Sequence, residues 1–193
     1  MSKVIRPQPG PQMAFLATPA DVALTGGGAG GGKSYGLLLQ ALRHIHDPHF
    51  RYTLFRRTYA QITAQGGLWD TASEIYTHVR GAESIESPPT WTFPSGAEVQ
   101  MRHMQYDKDR LAYQGSQIPL IGFDELTHFS SKQFFYLLSR NRGAGVGFGP
   151  YVRATCNPDP DHWLRDFIDW WIGADGYPVP ERSGVIRYVL RGD

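Results

Sequence analysis

Cysteine is nearly missing from this sequence: Cys156 is the only one in 193 residues. That excludes a disulfide framework and any cysteine-rich zinc module. Long apolar runs are missing too. None approaches the roughly 18 residues of a transmembrane helix. Met1 to Pro11 is polar and proline-rich, without the apolar stretch of a secretory leader. The expectation is a soluble protein of cytoplasmic type with no membrane partner. No charge sign dominates, since 19 basic and 18 acidic residues leave a formal +1. A wholly basic wrapper of nucleic acid is excluded, although a local basic groove is not. The length suits one domain with a proper core.

Glycine is abundant, and it is concentrated. Ten of the 22 glycines fall within 26–32 and 143–149, which marks loops with a task rather than low complexity. Around them, short apolar runs alternate with helix-patterned stretches. Val22-Ala23-Leu24, Arg51 to Arg56, Pro119 to Phe123, Tyr151 to Thr155 and Val185 to Leu190 read as strands. Thr90 to Phe93 and Ala97 to Met101 read as a hairpin across Pro94-Ser95-Gly96. Tyr35 to Leu42 and Ser131 to Leu138 have helical period, and 58–80 is helical in part, broken at Gly66-Gly67. Asp161 is placed to cap a helix with Trp163, Leu164, Phe167 and Trp170 or Trp171 on its apolar face. Residues 1–11 read as an extended lead-in. The alternation predicts an α/β fold with a mostly parallel sheet. The stop at Arg191-Gly192-Asp193, just after a strand, reads as the edge of a longer protein.

Gly27-Gly28-Ala29-Gly30-Gly31-Gly32-Lys33-Ser34 fits G-x-x-x-x-G-K-[ST] between a strand and a helix. Glycines let successive backbone N–H groups turn inward onto phosphate oxygens. The following helix presents its positive end to the same anion. Lys33 has the reach and charge for the β- and γ-phosphates, and the Ser34 hydroxyl for Mg²⁺. Leu120 to Phe123 then delivers Asp124 and Glu125, about 90 residues later, to the same end of a parallel sheet. Asp124 is assigned to Mg²⁺, through a bridging water, and Glu125 to polarising the attacking water. Alternation along the strand is expected to aim the two acids differently. Gly122 suits close packing beneath them.

Two further signals are weaker on residue types alone. Thr155 and Asn157 end a strand where a hydroxyl or amide can sense the γ-phosphate, although Asn-Pro is also an ordinary strand-to-turn junction. The Gln12 amide matches the donor–acceptor edge of adenine, and a solvated glutamine would look the same. His44, His46 and His49 with Asp47 sit at a helix end, where imidazoles are favoured anyway, so a metal site is not assigned. The aromatic run from Trp163 to Trp171 reads as a core stripe or an interface. Arg140, Arg142 and the 143–149 loop could track DNA phosphates or be a solvated linker.

Together these elements resemble the ATPase domain of the large terminase subunit, the DNA-packaging motor of tailed bacteriophages. The resemblance is carried by Gly10-Pro11-Gln12, by Gly27 to Ser34 with Tyr35-Gly36-Leu37-Leu38-Leu39, and by Phe55-Arg56-Arg57-Thr58-Tyr59. It continues through Tyr113-Gln114-Gly115-Ser116-Gln117, Gly122 to Thr127 and Thr155-Cys156-Asn157-Pro158. It implies a RecA-like P-loop NTPase of the additional-strand, catalytic-Glu type across 1–193, using ATP and Mg²⁺. By it, Gln12, residues 27–34 and Tyr35 bind nucleotide, Lys33 and Glu125 are catalytic, and Thr155 and Asn157 form the coupling element. The implied partners are double-stranded DNA, a portal protein, a small terminase subunit and further copies in a ring on the capsid. The implied setting is the bacterial host cytoplasm, at the procapsid portal. The family's C-terminal nuclease domain has no counterpart here, so nuclease activity is not expected. Some members carry a trans-acting arginine finger where this chain has Gln114. Arg56, Arg57, Arg110, Arg140 and Arg142 are then the candidates. A helicase-like translocase, a nucleotide kinase and an ATP-binding capsid-assembly protein without turnover remain the competing readings.

Overall fold

The computed structural model describes residues 5–28, 30–143 and 145–189. Ala29 and the end of the expected last strand, Leu190, lie outside them. The chain runs α1 (Pro11–Ala17), β1 (Val22–Gly26), α2 (Lys33–Ala41), β2 (Arg51–Arg56), α3 (Tyr59–Thr63) and α4 (Leu68–Tyr76). It continues with β3 (Glu83–Glu86), β4 (Pro89–Thr92), β5 (Glu98–His103), β6 (Leu120–Phe123), α5 (Ser131–Leu138), β7 (Tyr151–Cys156) and α6 (Leu164–Phe167). The strands form one sheet in the order β1-β7-β6-β2-β5-β4-β3. The pairs from β1 through β5 are parallel, and β4 and β3 extend that sheet antiparallel.

Alternation along the strands feeds two cores. Tyr52 and Leu54 of β2 join Leu37, Leu38, Ile75 and Tyr76 on one side. Phe55, Ile121, Phe123, Val152 and Ala154 join Phe134, Leu137 and Leu164 on the other. Helix α2 is buried from Gly36 to Ala41, so it is held between the sheet and α1 and α4 rather than lying on the surface. The capping boxes Thr58–Gln61 and Ser130–Gln133 fix where α3 and α5 begin.

The parallel order decides what meets what. The C-terminal ends of β1, β7, β6 and β2 share one edge of the sheet. They deliver, side by side, the loop from Gly27, the segment from Thr155, the acids Asp124 and Glu125, and Arg56. Gly122 is where this packing is tightest. A Cβ there would lie 2.4 Å from Tyr52 Oη and 2.5 Å from Leu54 Cδ1. Tyr52 is fully buried and donates its hydroxyl hydrogen to Leu37 O at 3.2 Å, so it has no free space to swing into. Gly122→Ala is expected to destabilise the domain by about 1–3 kcal/mol through overpacking. Calorimetry should show a melting temperature several degrees lower, and an unchanged value would mean that β2 yields at no cost.

Four expectations need correction. Residues 185–189 form no strand: Val185, Ile186, Tyr188 and Val189 are exposed and find no neighbouring strand to pair with. Asp161 caps nothing, because α6 starts only at Leu164 and runs a single turn. The lead-in does not stay extended through residue 11, since Pro11 opens α1. The strand β6 ends at Phe123, so the two acids leave it in a turn and strand alternation does not set their directions. No helix among the described residues is long and apolar enough to cross a membrane.

Candidate nucleotide site

The phosphate loop curls because its glycines take left-handed backbone angles. Gly27, Gly30 and Gly32 have φ of 142°, 80° and 67°, and Gly32 is the residue from which α2 starts. A side chain at these positions would be strained. Lys33 opens the helix and folds back over the loop. Its Nζ donates to Gly27 O at 2.6 Å, Gly28 O at 2.7 Å and Asn157 Oδ1 at 3.1 Å. The ammonium is thus held over the loop by the loop's own carbonyls and by Asn157.

Behind the loop lies a recess of about 220 Å³, lined by Pro11, Gln12, Phe15 and Gly36 together with the loop. The Gln12 amide donates to Gly32 O at 2.8 Å, and its Oε1 accepts from Gln8 N at 2.7 Å. Gln12 is therefore brought to the loop, with its amide engaged by the protein. Helix α1 is what carries it there. Tyr35, in the first turn of α2, is half-buried and packs against the core.

The acids form one connected cluster. Asp124 is fully buried. Its Oδ1 accepts from Ser34 Oγ at 2.9 Å and from Thr155 Oγ1 at 2.8 Å, and its Oδ2 accepts from Arg56 Nε at 2.7 Å. Thr155 Oγ1 in turn accepts from the Glu125 backbone N–H at 3.0 Å. One hydroxyl therefore touches the side chain of one acid and the backbone of the next. Glu125 has φ of 60°. Its Oε2 meets Arg56 Nη1 at 3.2 Å and His128 Nδ1 at 3.1 Å. Arg56 thereby spans both carboxylates with its side chain only 17% exposed.

These contacts sort the candidates. Lys33, Ser34, Asp124, Glu125, Thr155 and Asn157 are assembled at one place, and Arg56 belongs with them in its own chain. Arg57 lies instead near Met104 O and Gln133 Oε1, at 3.5 and 3.4 Å. Arg110 and Arg140 stand over the Tyr136 ring at 5.8 and 4.9 Å, and Arg142 is exposed. Sequence reasoning missed the part played by Arg56 and His128. The spacing of three residues from Glu125 to His128 was available as a signal. The meeting of Arg56 with Asp124 was not, because it depends on β2 pairing with β6 so that Phe55 faces Phe123.

The oxygen pair of Ser34 and Asp124 suits Mg²⁺, a hard ion that binds through one or two protein oxygens and completes its shell with water and phosphate. Among the described residues no group of three or more His, Cys, Asp or Glu could hold a metal by itself. His44 is bound to the Tyr151 hydroxyl, and Asp47 receives the N–H groups of His49 and Gly147. Cys156, at the end of β7, is buried, which pushes its thiol up to about 11 and leaves it unreactive.

A family model described as terminase large subunit, T4likevirus-type, N-terminal, matches residues 24–187. The chain belongs to that family. Among solved structures it is similar to the large terminase of bacteriophage HK97, at 14% identity and a TM-score of 0.63, over 88% of this chain and 37% of that one. It is similar to the large terminase of a thermophilic bacteriophage in complex with ATP-gamma-S, at 17% identity and 0.59, over 82% and 41%. It is also similar to the large terminase ATPase domain of Thermus phage P74-26, at 13% identity and 0.60, over 90% and 74%. The fold they share is the RecA-like P-loop fold. This chain spans about two-fifths of the length of the first two of these terminases. A search of curated proteins finds no match.

Proposed function

We propose that residues 1–193 form a Mg²⁺-dependent ATPase domain that drives double-stranded viral DNA into a procapsid. The observation that carries this reading is the contact of Ser34 with Asp124 at 2.9 Å, beside Glu125 and under Lys33, in a terminase-family chain. Gln12, Gly27, Gly28, Gly30, Gly31, Gly32 and Tyr35 surround the nucleotide. Lys33 exchanges Gly27 O and Gly28 O for β- and γ-phosphate oxygens. Ser34 and Asp124 would hold Mg²⁺, which would screen the phosphate charge when bound. Glu125 accepts a hydrogen bond from the attacking water and aligns it. Thr155, bonded to Asp124 and to the Glu125 amide, senses the loss of the γ-phosphate. Asn157 lets go of Lys33 when nucleotide arrives and takes it back afterwards.

Arg56 acts within its own subunit, positioning both acids. A finger from a neighbouring copy then comes from Arg57, Arg110, Arg140 or Arg142. The active assembly is a ring at the portal in the bacterial cytoplasm, fed by a small terminase subunit. The reading assigns ATP hydrolysis, and not DNA cleavage, to these residues.

A phosphate-release assay at saturating Mg-ATP tests it. Rate per subunit should rise with protein concentration and with added double-stranded DNA. A neighbour's arginine accelerates phosphoryl transfer by roughly 10³–10⁵, and in free solution that neighbour arrives by mass action. A fast rate independent of concentration would show that one chain completes the site. No hydrolysis at any concentration, with or without DNA, would remove the ATPase reading.

A further inference from the structure

At the end of the sheet opposite the phosphate loop, a second recess of about 240 Å³ opens between the start of β1, the end of α2 and the start of β7. Two guanidinium groups line it, from Arg43 and Arg153. Arg153 is 2% exposed and is the largest fully buried side chain in the domain as described. Its Nη1 donates to Ala20 O and Val152 O, each at 2.9 Å, and its Nη2 to Thr18 O at 2.8 Å. Its Nε is buried with no acceptor among the described residues. Arg43 donates to Leu16 O. Among the described residues neither arginine has a carboxylate within ion-pair distance. Buried arginines are ordinarily paired, because backbone carbonyls accept their hydrogens without cancelling their charge. Burial, with the neighbouring charge of Arg43, lowers the basicity of Arg153 to about 10, while Tyr151 and the Asp21 carboxylate act in the other direction.

The remaining walls add a donor and little negative charge. Asp21 is the one acid lining the recess. Gln40 Nε2 donates to Tyr151 Oη at 2.9 Å, and His44 Nε2 lies 2.7 Å from the same oxygen. With the phenol giving its hydrogen to that nitrogen, the His44 proton sits on Nδ1. Stacking on Phe148, with ring centroids 3.8 Å apart, fixes the imidazole in place. Desolvation, and then the charge of Arg43, push His44 down to about 4, so it is neutral near pH 7 and contributes a donor without a charge. Tyr151 lies under Arg153, 4.3 Å from ring centroid to guanidinium carbon.

We infer that this recess binds a small oxyanion, a phosphate- or carboxylate-bearing ligand held between Arg43 and Arg153 with His44 as a neutral donor. It makes no use of the phosphate loop, so it stands apart from the ATPase reading.

The test is calorimetric titration of inorganic phosphate, and separately of acetate, at constant ionic strength set with chloride. The host is the full chain carrying Lys33→Ala, which removes the cation of the phosphate loop. Arg43→Gln is then added. Arg43 is exposed, so this change should leave the melting temperature unchanged, which a thermal scan verifies. Binding of either probe at one site per chain, weakened tenfold or more by Arg43→Gln, is the expected result. Which probe binds tells a phosphate ligand from a carboxylate one. No binding of either probe overturns the site. So does equal affinity with and without Arg43→Gln, which would place the anion elsewhere. Arg153→Lys serves as a second variant and should also weaken binding. If it does not fold, the Arg43 comparison stands by itself.

Discussion

Replacing Lys33 with alanine is expected to abolish useful ATP binding, loosening it by about a hundredfold or more. Hydrogen bonds from a charged group contribute about 1.5–3 kcal/mol each, and the ammonium is assigned to two phosphates. The ammonium donates to Gly27 O, Gly28 O and Asn157 Oδ1. Binding is therefore an exchange of acceptors, neutral carbonyls and an amide for anionic oxygens. The gain lies in the charge, and an alanine supplies none. The variant loses the ammonium's bonds to the loop carbonyls but keeps the glycines of the loop and the start of α2 at Gly32, so it should fold. Isothermal titration with ATP is the check. Undiminished affinity would remove the assignment of the loop to phosphate.

Glu125→Gln should separate binding from chemistry. The amide has the same shape and bears the same conformational cost at a φ of 60°. Its oxygen can still accept from Arg56, which also keeps its bond to Asp124 at 2.7 Å. Ser34 and Asp124 are untouched. What is lost is the anionic acceptor for the attacking water. Turnover should fall on the order of a hundredfold or more, while affinity for ATP stays within a few-fold. Single-turnover phosphate release, measured beside nucleotide titration, distinguishes the two. Equal losses in both would mean that Asp124 and Glu125 have been given each other's roles.

The residues of the proposed site whose types chemistry constrains tightly could be named from the chain alone, and the fold brings them together. A loop that must turn N–H groups onto phosphate needs glycines, and an acid at the end of a buried strand needs Leu120 to Phe123 before it. The parts decided by neighbours could not be. Arg56 looked like one arginine among five until the sheet order put β2 beside β6. Helix α1 was hidden by Pro9, Gly10 and Pro11, although proline is well tolerated in a helix's first turn. Strand β3 is exposed at all four positions, so it has no apolar alternation to read. The reverse error came at 185–189, where residues suited to a strand have no strand beside them. β-propensity is in large part packing against neighbours.

Glu125 is the one non-glycine among the described residues with a positive φ. For an L-residue that geometry costs roughly 1–2 kcal/mol. Glycine would adopt it freely, so on the proposed role of Glu125 thermal robustness and hydrolysis pull in opposite directions at this position. A selection for sturdier protein, blind to activity, would drift away from the carboxylate. On that same proposal, the awkward turn persists only while something downstream depends on a water aligned by a carboxylate.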